Sequence, residues 1–172
     1  ALNLLKEHKA GSAVLIDINN GNILCMASTP SYNPNKIIQK PNKEYWDSIL
    51  ENELSPLTYR CIQGMYAPGS TFKMVVAIAG ILHGVIDTNT KHFCSGKIGL
   101  GDRLYHCWKN NGHGLMNVSD AIKESCDVFF YEISKKIGID KIAEVAEDFG
   151  LGKIYDFPLP NQKKGIIPSR DW

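Results

Sequence analysis

The stretch that most constrains the fold is a proline–glycine break followed by a long apolar run. Pro68 and Gly69 interrupt regular structure, and residues 74–82 are apolar apart from one glycine. Ser70 is a residue type that starts helices, and Gly84 is a residue type that ends them. Because the run is apolar on nearly every side, the pattern predicts a buried helix that begins at Ser70 and ends near Gly84.

Ser70 and Lys73 are three residues apart in this predicted helix, which places both side chains on one face. A serine hydroxyl becomes a good nucleophile when a base removes its proton, and a lysine amine in apolar surroundings can be that base. The helix N-terminus adds partial positive charge that favours a developing oxyanion near Ser70. The same two residues also fit a helix cap and a solvated lysine, so the rest of the chain must decide between these readings.

Length and composition restrict the possible classes of protein. A chain of 172 residues with 44% apolar composition can bury a core and is expected to form one domain or part of one. The net charge of +1 and the lack of basic clusters argue against nucleic acid as a partner. No stretch of these 172 residues is long and apolar enough to suggest a membrane span, and no signal-peptide pattern is visible in them. Residues 1–10 are expected to be a junction from an upstream pedestal domain, and residues 167–172 lack a closing element, so we expect an excised fragment.

The first third of the chain predicts a hairpin followed by a loop. Two apolar runs flank the turn sequence at 19–22, which contains Asn-Gly, and predict a β-hairpin over residues 11–28. Residues 13–16 do not alternate, which indicates a strand covered on both faces, with helices packed on the sheet. Residues 29–43 contain three prolines and predict a loop, and a short helix is expected at 45–50.

The second half is predicted to be mainly helical after an irregular segment. Residues 88–114 are short polar or glycine-rich pieces, and the glycines at 96–101 do not have the context of a phosphate-binding loop. Three helices are predicted after this segment, at 117–124 with Asn117 or Ser119 as its cap, at 128–138, and at 140–149.

A second motif lies between two of these helices. Ser125, Cys126 and Asp127 form an inter-helix turn 55 residues after Ser70. Alone, a serine and an aspartate in such a turn are ordinary capping residues. Together with Ser70 and Lys73 they match the Ser-x-x-Lys and Ser-x-Asn type pair known from penicillin-binding proteins and class A β-lactamases.

The chain resembles the transpeptidase domain of class B penicillin-binding proteins over roughly residues 10–172. Within that class it is most similar to the penicillin-binding protein 2 group, which acts in cell elongation. The resemblance implies an α+β penicillin-binding and serine β-lactamase-like fold that is truncated here, with an N-terminal hairpin and a helical subdomain but without the C-terminal strands. The segments that carry the resemblance are residues 27–35, 60–73, 108–114 and 124–131.

This resemblance implies a peptidoglycan D,D-transpeptidase at the periplasmic face of the bacterial inner membrane, which needs no cofactor for catalysis. Ser70 would attack the carbonyl between the two terminal D-alanines of a stem peptide and form an acyl-enzyme. Lys73 would take the serine proton, and Ser125 would relay a proton to the leaving group. The implied partners are stem peptides ending in D-Ala-D-Ala, β-lactams and a glycosyltransferase of the elongation machinery, and not nucleic acid.

The sequence departs from the wider superfamily at two places. Asp127 stands where many members have asparagine; aspartate is common in the penicillin-binding protein 2 group and favours the charged form of Lys73. No Lys-Thr-Gly occurs in the sequence, although that strand would supply a substrate-carboxylate site and a second oxyanion amide beside the Ser70 N–H. Because losing one oxyanion donor costs about 10²- to 10³-fold in rate, we expect the isolated chain to be inactive or weakly acylated. An alternative function is a β-lactam-sensing receptor domain that acylates without turnover.

Cysteine and histidine residues form a further constellation. Five cysteines are an odd number and too few for a disulfide scaffold, and Cys25 and Cys61 are expected to be core residues. Three thiolates and one imidazole are a normal ligand set for structural zinc. Three readings stay open: structural zinc, which the resemblance also supports, a Cys94–Cys107 disulfide in a periplasmic protein, or free buried thiols. The candidate ligands, which lie within 33 residues, are Cys94, Cys107, His113 and Cys126.

Overall fold

The computed structural model describes residues 1–38 and 42–172. It divides into two compact units, one formed by Ala1–Tyr66 with Ile154–Lys163 and the other by Ala67–Lys153 with Lys164–Trp172. Within the described ranges, every helix is too short or too polar to cross a bilayer.

The first unit is built on a β-hairpin, which confirms the hairpin prediction. Strands β1 (Gly11–Ile16) and β2 (Ile23–Thr29) pair antiparallel, with Gly11 opposite Thr29 and Ile16 opposite Ile23. In the connecting turn, the carboxylate of Asp17 accepts hydrogen bonds from the backbone and side-chain amides of Asn19 and from the side-chain amide of Asn20. The helices of this unit are α1 (Leu2–Leu5), α2 (Pro34–Ile38), α3 (Lys43–Leu50) and α4 (Arg60–Gln63).

The prediction that β1 is covered on both faces is wrong for this chain. Val14, Leu15 and Ile16 are 46%, 57% and 51% exposed. The short helix α4 is anchored to the hairpin through Cys61, whose Sγ lies 3.2 Å from the carbonyl oxygen of Ala27. A helix of four residues is too short to cover a sheet of this length, so apolar surface stays exposed.

The predicted loop over residues 29–43 is wrong at Pro34–Ile38, which forms α2. Pro34 occupies the first helical position, where its missing N–H is not needed, and the Asn33 side chain accepts from the Asn35 N–H. Residues 39–41 of that predicted loop lie outside the described residues. The helix predicted at 45–50 is confirmed as α3, which starts earlier because Asn42 caps it by accepting from the Glu44 N–H.

The second unit begins with a 3₁₀ turn (Gly69–Phe72) and α5 (Lys73–Leu82). The helical segment predicted to begin at Ser70 begins one residue earlier, at Gly69, with a 3₁₀ turn that continues into α5. The alternative of Ser70 as a helix cap is wrong, because Ser70 lies inside the 3₁₀ turn and its side chain makes no capping hydrogen bond. Strands β3 (His92–Cys94) and β6 (Gly114–Met116) pair with each other, and so do β4 (Lys97–Leu100) and β5 (Arg103–His106). The segment expected to be irregular therefore contains two small antiparallel sheets. The remaining elements are α6 (Val118–Lys123), α7 (Asp127–Ile137) and α8 (Ile139–Asp148), as predicted within a few residues.

The core of the second unit surrounds α7. Phe129 and Ile133 of this helix are 1% and 0% exposed, and Ala79 of α5 is 0% exposed. The other face of α5 is open, because Met74 and Leu82 are 56% and 68% exposed. The helix is therefore buried on one side only within this chain.

Candidate active site

Ser70 and Lys73 occupy adjoining parts of one continuous helical segment. Gly69, with φ of +56°, begins the 3₁₀ turn, and the Thr71 hydroxyl donates to the Pro68 carbonyl oxygen at 2.5 Å. Ser70 is exposed, whereas Lys73 is half-buried as the first residue of α5. The break before the helix therefore presents a serine to solvent and turns the following lysine inwards.

A path of hydrogen bonds joins the lysine amine to the serine hydroxyl through Ser125. Lys73 Nζ donates to Ser125 Oγ at 3.1 Å, and Ser125 Oγ donates to Ser70 Oγ at 3.0 Å. A hydroxyl can both donate and accept, so rotation of the two hydroxyls reverses the direction of the path. The sequence placed the amine beside Ser70, and the structure adds Ser125 as the bridge between them.

Lys73 has three acceptors for its three N–H groups. They are Asp127 Oδ1 at 2.6 Å, the Ser125 carbonyl oxygen at 2.8 Å and Ser125 Oγ at 3.1 Å. The side chains of Lys73 and Asp127 are only 13% and 24% exposed. Because this ion pair is largely shielded from water, its charge-assisted hydrogen bonds are stronger than those of a surface pair.

The turn between α6 and α7 positions Ser125. This residue has φ of +50°, in the left-handed region that non-glycine residues rarely occupy. Its N–H donates to the Ile122 carbonyl at 3.1 Å, and the Cys126 N–H donates to the Ala121 carbonyl at 2.9 Å. Cys126 also caps α7, because its Sγ accepts from the Phe129 N–H at 3.5 Å. The ends of two helices thus hold the serine in an uncommon conformation.

Trp108 contacts this turn at both ends. Its backbone N–H donates to Asp127 Oδ2 at 3.1 Å, and its indole Nε1–H donates to the Glu124 carbonyl at 2.9 Å. The sequence argument assigned no role to Trp108. Its sequence signals are its position directly after Cys107, one of the candidate metal ligands, and its place at the start of segment 108–114, which carries the family resemblance.

The four predicted metal ligands come together in the second unit. One ligand atom from each lies within 4.8 Å of all the others, and the three cysteines are buried. His92 and His106 are outside this cluster, while Cys25 and Cys61 are half-buried in the first unit. The members of the Cys₃His cluster are Cys94, Cys107, His113 and Cys126.

The spacing within the Cys₃His cluster fits tetrahedral zinc. His113 Nδ1 lies 3.5 Å from Cys107 Sγ and 3.7 Å from Cys94 Sγ. Zinc at about 2.3 Å from sulfur and about 2.0 Å from nitrogen, with tetrahedral angles, separates these atoms by about 3.6 Å. These distances show that Nδ1 is the nitrogen that faces the thiols. The other ring nitrogen, Nε2, is buried and has no hydrogen-bond partner among the described residues. Both the donor types and their distances therefore suit a structural zinc ion.

The thiols of the cluster differ in their electrostatic surroundings. Burial raises the pKa of Cys126 to about 12. Burial also acts to raise the pKa of Cys107, but hydrogen bonds from the N–H groups of Lys109, Val128 and Asp127 outweigh it and bring that pKa below its ordinary value. Without a metal, Cys126 is therefore a protonated thiol at neutral pH, and a metal that binds its sulfur must displace the proton.

Two glycines let the loops of the cluster approach each other. Gly96 and Gly112 have φ values of +93° and +75°, which favour glycine. A Cβ at Gly112 would collide with the carbonyl oxygen of Cys94, and a Cβ at Gly96 would collide with that of Asn110. The strand end that carries Cys94 and the loop that leads to His113 thus pack backbone against backbone.

The fold is that of the penicillin-binding transpeptidases. The family model described as penicillin binding protein transpeptidase domain matches residues 11–172, and the chain belongs to this family. This confirms the resemblance to class B penicillin-binding proteins and the α+β fold class inferred from the sequence.

Comparison with individual proteins gives the subgroup. The chain is 36% identical over 166 residues to peptidoglycan D,D-transpeptidase MrdA of Acinetobacter baumannii. The matched region covers 95% of this chain and 25% of that protein. It is 32% identical to Pseudomonas aeruginosa PBP2 in complex with WCK 5153, with a TM-score of 0.92 over 99% of this chain and 39% of that one. PBP2 of Helicobacter pylori in complex with MreC gives 32% identity and a TM-score of 0.93, covering 99% of this chain and 32% of that one. The similarity to the penicillin-binding protein 2 group is thereby confirmed, and the chain spans about a quarter of the length of the curated relative.

Proposed function

We propose that the protein containing this chain is a peptidoglycan D,D-transpeptidase with Ser70 as its nucleophile. The observation that carries the proposal is the path from Lys73 Nζ through Ser125 Oγ to Ser70 Oγ, with steps of 3.1 and 3.0 Å. Membership of the transpeptidase family supports the choice of reaction. The substrate class is a stem peptide that ends in D-Ala-D-Ala.

In the acylation step, Ser70 Oγ attacks the carbonyl carbon between the two D-alanines. Its proton passes along the path to Ser125 and on to Lys73. The ammonium of Lys73 must first lose one proton to solvent, so that the neutral amine can accept the proton of Ser70. Asp127, at 2.6 Å, stabilises the ammonium that results. A positioned general base of this kind contributes about 10²- to 10⁴-fold to the rate.

The intermediate then collapses with cleavage of the C–N bond. The departing D-alanine amine takes a proton from the Ser125 hydroxyl, which Lys73 reprotonates. The acyl group stays on Ser70 until an amine of a second stem peptide attacks it, forms the cross-link and returns the hydroxyl. Ser70 is exposed while Ser125 and Lys73 are half-buried, so the nucleophile is open to substrate and the proton path is shielded.

We propose that the Cys₃His cluster holds a structural zinc ion, as its donor set and its spacings support. Bound zinc would cross-link β3, the loop that contains Cys107 and His113, and the turn that precedes α7. Because all four ligand positions are filled by side chains, the site is of the closed, structural type. Cys126 lies between Ser125 and Asp127, so the cluster fixes the backbone of the proposed catalytic turn.

We further propose that the catalytic part acts at the periplasmic face of the inner membrane, where peptidoglycan is cross-linked. The cross-linking reaction consumes stem peptides carried on glycan strands, so a glycan-polymerising enzyme must supply its substrate. A glycosyltransferase of the elongation machinery is accordingly the proposed partner, and β-lactams are the proposed inhibitors. The family description, penicillin binding protein transpeptidase domain, supports β-lactams as inhibitors.

The test is covalent labelling of the full-length protein by a fluorescent penicillin. We expect stoichiometric labelling of the wild type and none of Ser70→Ala. The control is Ser119→Ala, an exposed serine on α6, which should label normally. Labelling that survives in Ser70→Ala would refute the assignment, whereas labelling without any cross-linking of stem peptides would favour the sensor alternative.

A further inference from the structure

Ser125 requires external support because its backbone is in an unfavourable conformation. Ser125 has a left-handed φ of +50°, which is energetically unfavourable for a residue with a Cβ but not for glycine. Both oxygens of this residue are used, since its carbonyl and its hydroxyl accept from Lys73 at 2.8 and 3.1 Å. A change in the Ser125 backbone would therefore displace the lysine amine and the bridge to Ser70 together.

The two ends of the turn are tied to one residue. At the start, the Glu124 carbonyl accepts from the Trp108 indole N–H at 2.9 Å, and at the end, Asp127 Oδ2 accepts from the Trp108 backbone N–H at 3.1 Å. Glu124 and Asp127 flank the strained Ser125 and its neighbour Cys126. Both N–H groups of Trp108 thus act on the same four-residue turn.

Trp108 is itself held from the side of the Cys₃His cluster. The N–H of the preceding Cys107 donates to the Gly96 carbonyl at 2.8 Å, and the indole packs edge-on against His113 with ring centroids 5.3 Å apart. Trp108 is nevertheless 62% exposed, so burial of its ring is not its main contribution. The specific feature that tryptophan adds here is the indole N–H donor.

We propose that Trp108 is a positioning residue that clamps the Glu124–Asp127 turn, so that Ser125 stays aligned between Lys73 and Ser70. The inference rests on the proposed acylation of Ser70. It predicts that loss of the indole N–H lowers the rate of the chemical step and leaves noncovalent substrate binding intact, because the clamp acts through Ser125 and not through contact with substrate.

The experiment measures acylation of the full-length protein by a chromogenic cephalosporin at several concentrations, which separates the first-order acylation constant from the apparent dissociation constant. Trp108→Phe keeps an aromatic ring and the backbone N–H but lacks the indole N–H, and Trp108→Leu also lacks the aromatic ring. We expect the acylation constant of Trp108→Phe to fall about tenfold, as the loss of one hydrogen bond predicts, with an unchanged dissociation constant. Trp46→Phe in α3 is the control and should retain wild-type values.

The outcomes distinguish the clamp from other roles of Trp108. If Trp108→Phe acylates at the wild-type rate while Trp108→Leu binds more weakly, the ring contacts ligand and the clamp is refuted. If only the fraction of active protein falls, while the rate constant of the remaining molecules is unchanged, the residue serves folding alone and the clamp is again refuted. Acylation that persists in Ser70→Ala would instead refute the proposed function, so the two failures are distinct.

Discussion

Replacement of Asp127 by asparagine tests how much the buried ion pair stabilises the second unit. The change is nearly isosteric, and an amide oxygen can still accept from Lys73. It removes the negative charge opposite an ammonium whose side chain is only 13% exposed. It also replaces one carboxylate oxygen by an NH₂ group, which cannot accept from the Trp108 N–H at the position of Oδ2.

The magnitude follows from these two losses. A hydrogen bond to a charged group contributes about 1.5–3 kcal/mol and a neutral one about 0.5–1.5 kcal/mol, so losing the charge at 2.6 Å costs about 1–2 kcal/mol. The Trp108 N–H is near the surface and can bond to water, which limits the second loss to about 0.5 kcal/mol. We therefore expect Asp127→Asn to lower the free energy of unfolding by about 1.5–2.5 kcal/mol.

Urea denaturation, followed by circular dichroism, measures this difference, and Glu124→Gln provides a matched control. Glu124 lies in the same turn and undergoes the same carboxylate-to-amide change, but its pair with Lys123 is 4.0 Å long with side chains 80% and 46% exposed. Such a surface pair contributes less than about 0.5 kcal/mol. If Asp127→Asn costs no more than Glu124→Gln, the ion pair is not the stabilising contact that its geometry indicates.

Three further predictions concern the metal cluster and an exposed carboxylate. Zinc binding to metal-free protein at pH 7 should release at least one proton from Cys126, because the pKa of this thiol is about 12. Calorimetry in buffers of different ionisation enthalpy measures the number of protons released. Binding without proton release would contradict the assignment of Cys126 as a zinc ligand. Gly112→Ala should weaken zinc retention at least tenfold, because the added Cβ meets the Cys94 carbonyl oxygen. Gly101 also has a positive φ, but a Cβ added there would meet no atom within 4 Å. Gly101→Ala should therefore keep the metal and cost only about 1–3 kcal/mol of stability. Hydrogen bonds from the Thr90 side chain and backbone hold the pKa of Asp87 below its ordinary value of 3.8. Asp87 therefore stabilises the fold above that pH and loses this effect as the pH falls through its folded-state pKa. The stability difference between wild type and Thr90→Val should shrink below pH 3.8, and a difference that grows would contradict the direction of the pKa shift.

The parts of the fold that follow from local sequence were predictable. The Asn-Gly turn marks the hairpin, and the polar cap Asn117 and the glycines at 138 and 150 mark the helices of the second unit. The covering of β1 was not predictable, because an unalternating apolar strand specifies a need for burial but not which segment meets it. The helix at Pro34 was missed because a proline at the first helical position resembles a loop proline.

The candidate site was predictable as a set of residues but not as a geometry. Ser70, Lys73, Ser125 and Asp127 carry motif signals, and the cysteines carry a compositional one. Spacing along the chain could not show that Ser125 bridges Lys73 to Ser70, since this depends on a left-handed backbone at a non-glycine residue. Trp108 could not be found either, because its role depends on a backbone N–H and an indole N–H that meet the same turn only in three dimensions.

The most direct test of the central claim is identification of the acylated residue during turnover. Full-length protein is mixed with a donor peptide that ends in D-Ala-D-Ala, quenched in acid, digested and examined by tandem mass spectrometry. The proposed mechanism predicts that the peptide containing Ser70 gains the mass of the donor minus D-alanine, with the adduct on Ser70, and that Ser125→Ala forms it more slowly. An adduct on another residue, or cross-linked product from Ser70→Ala, would contradict it.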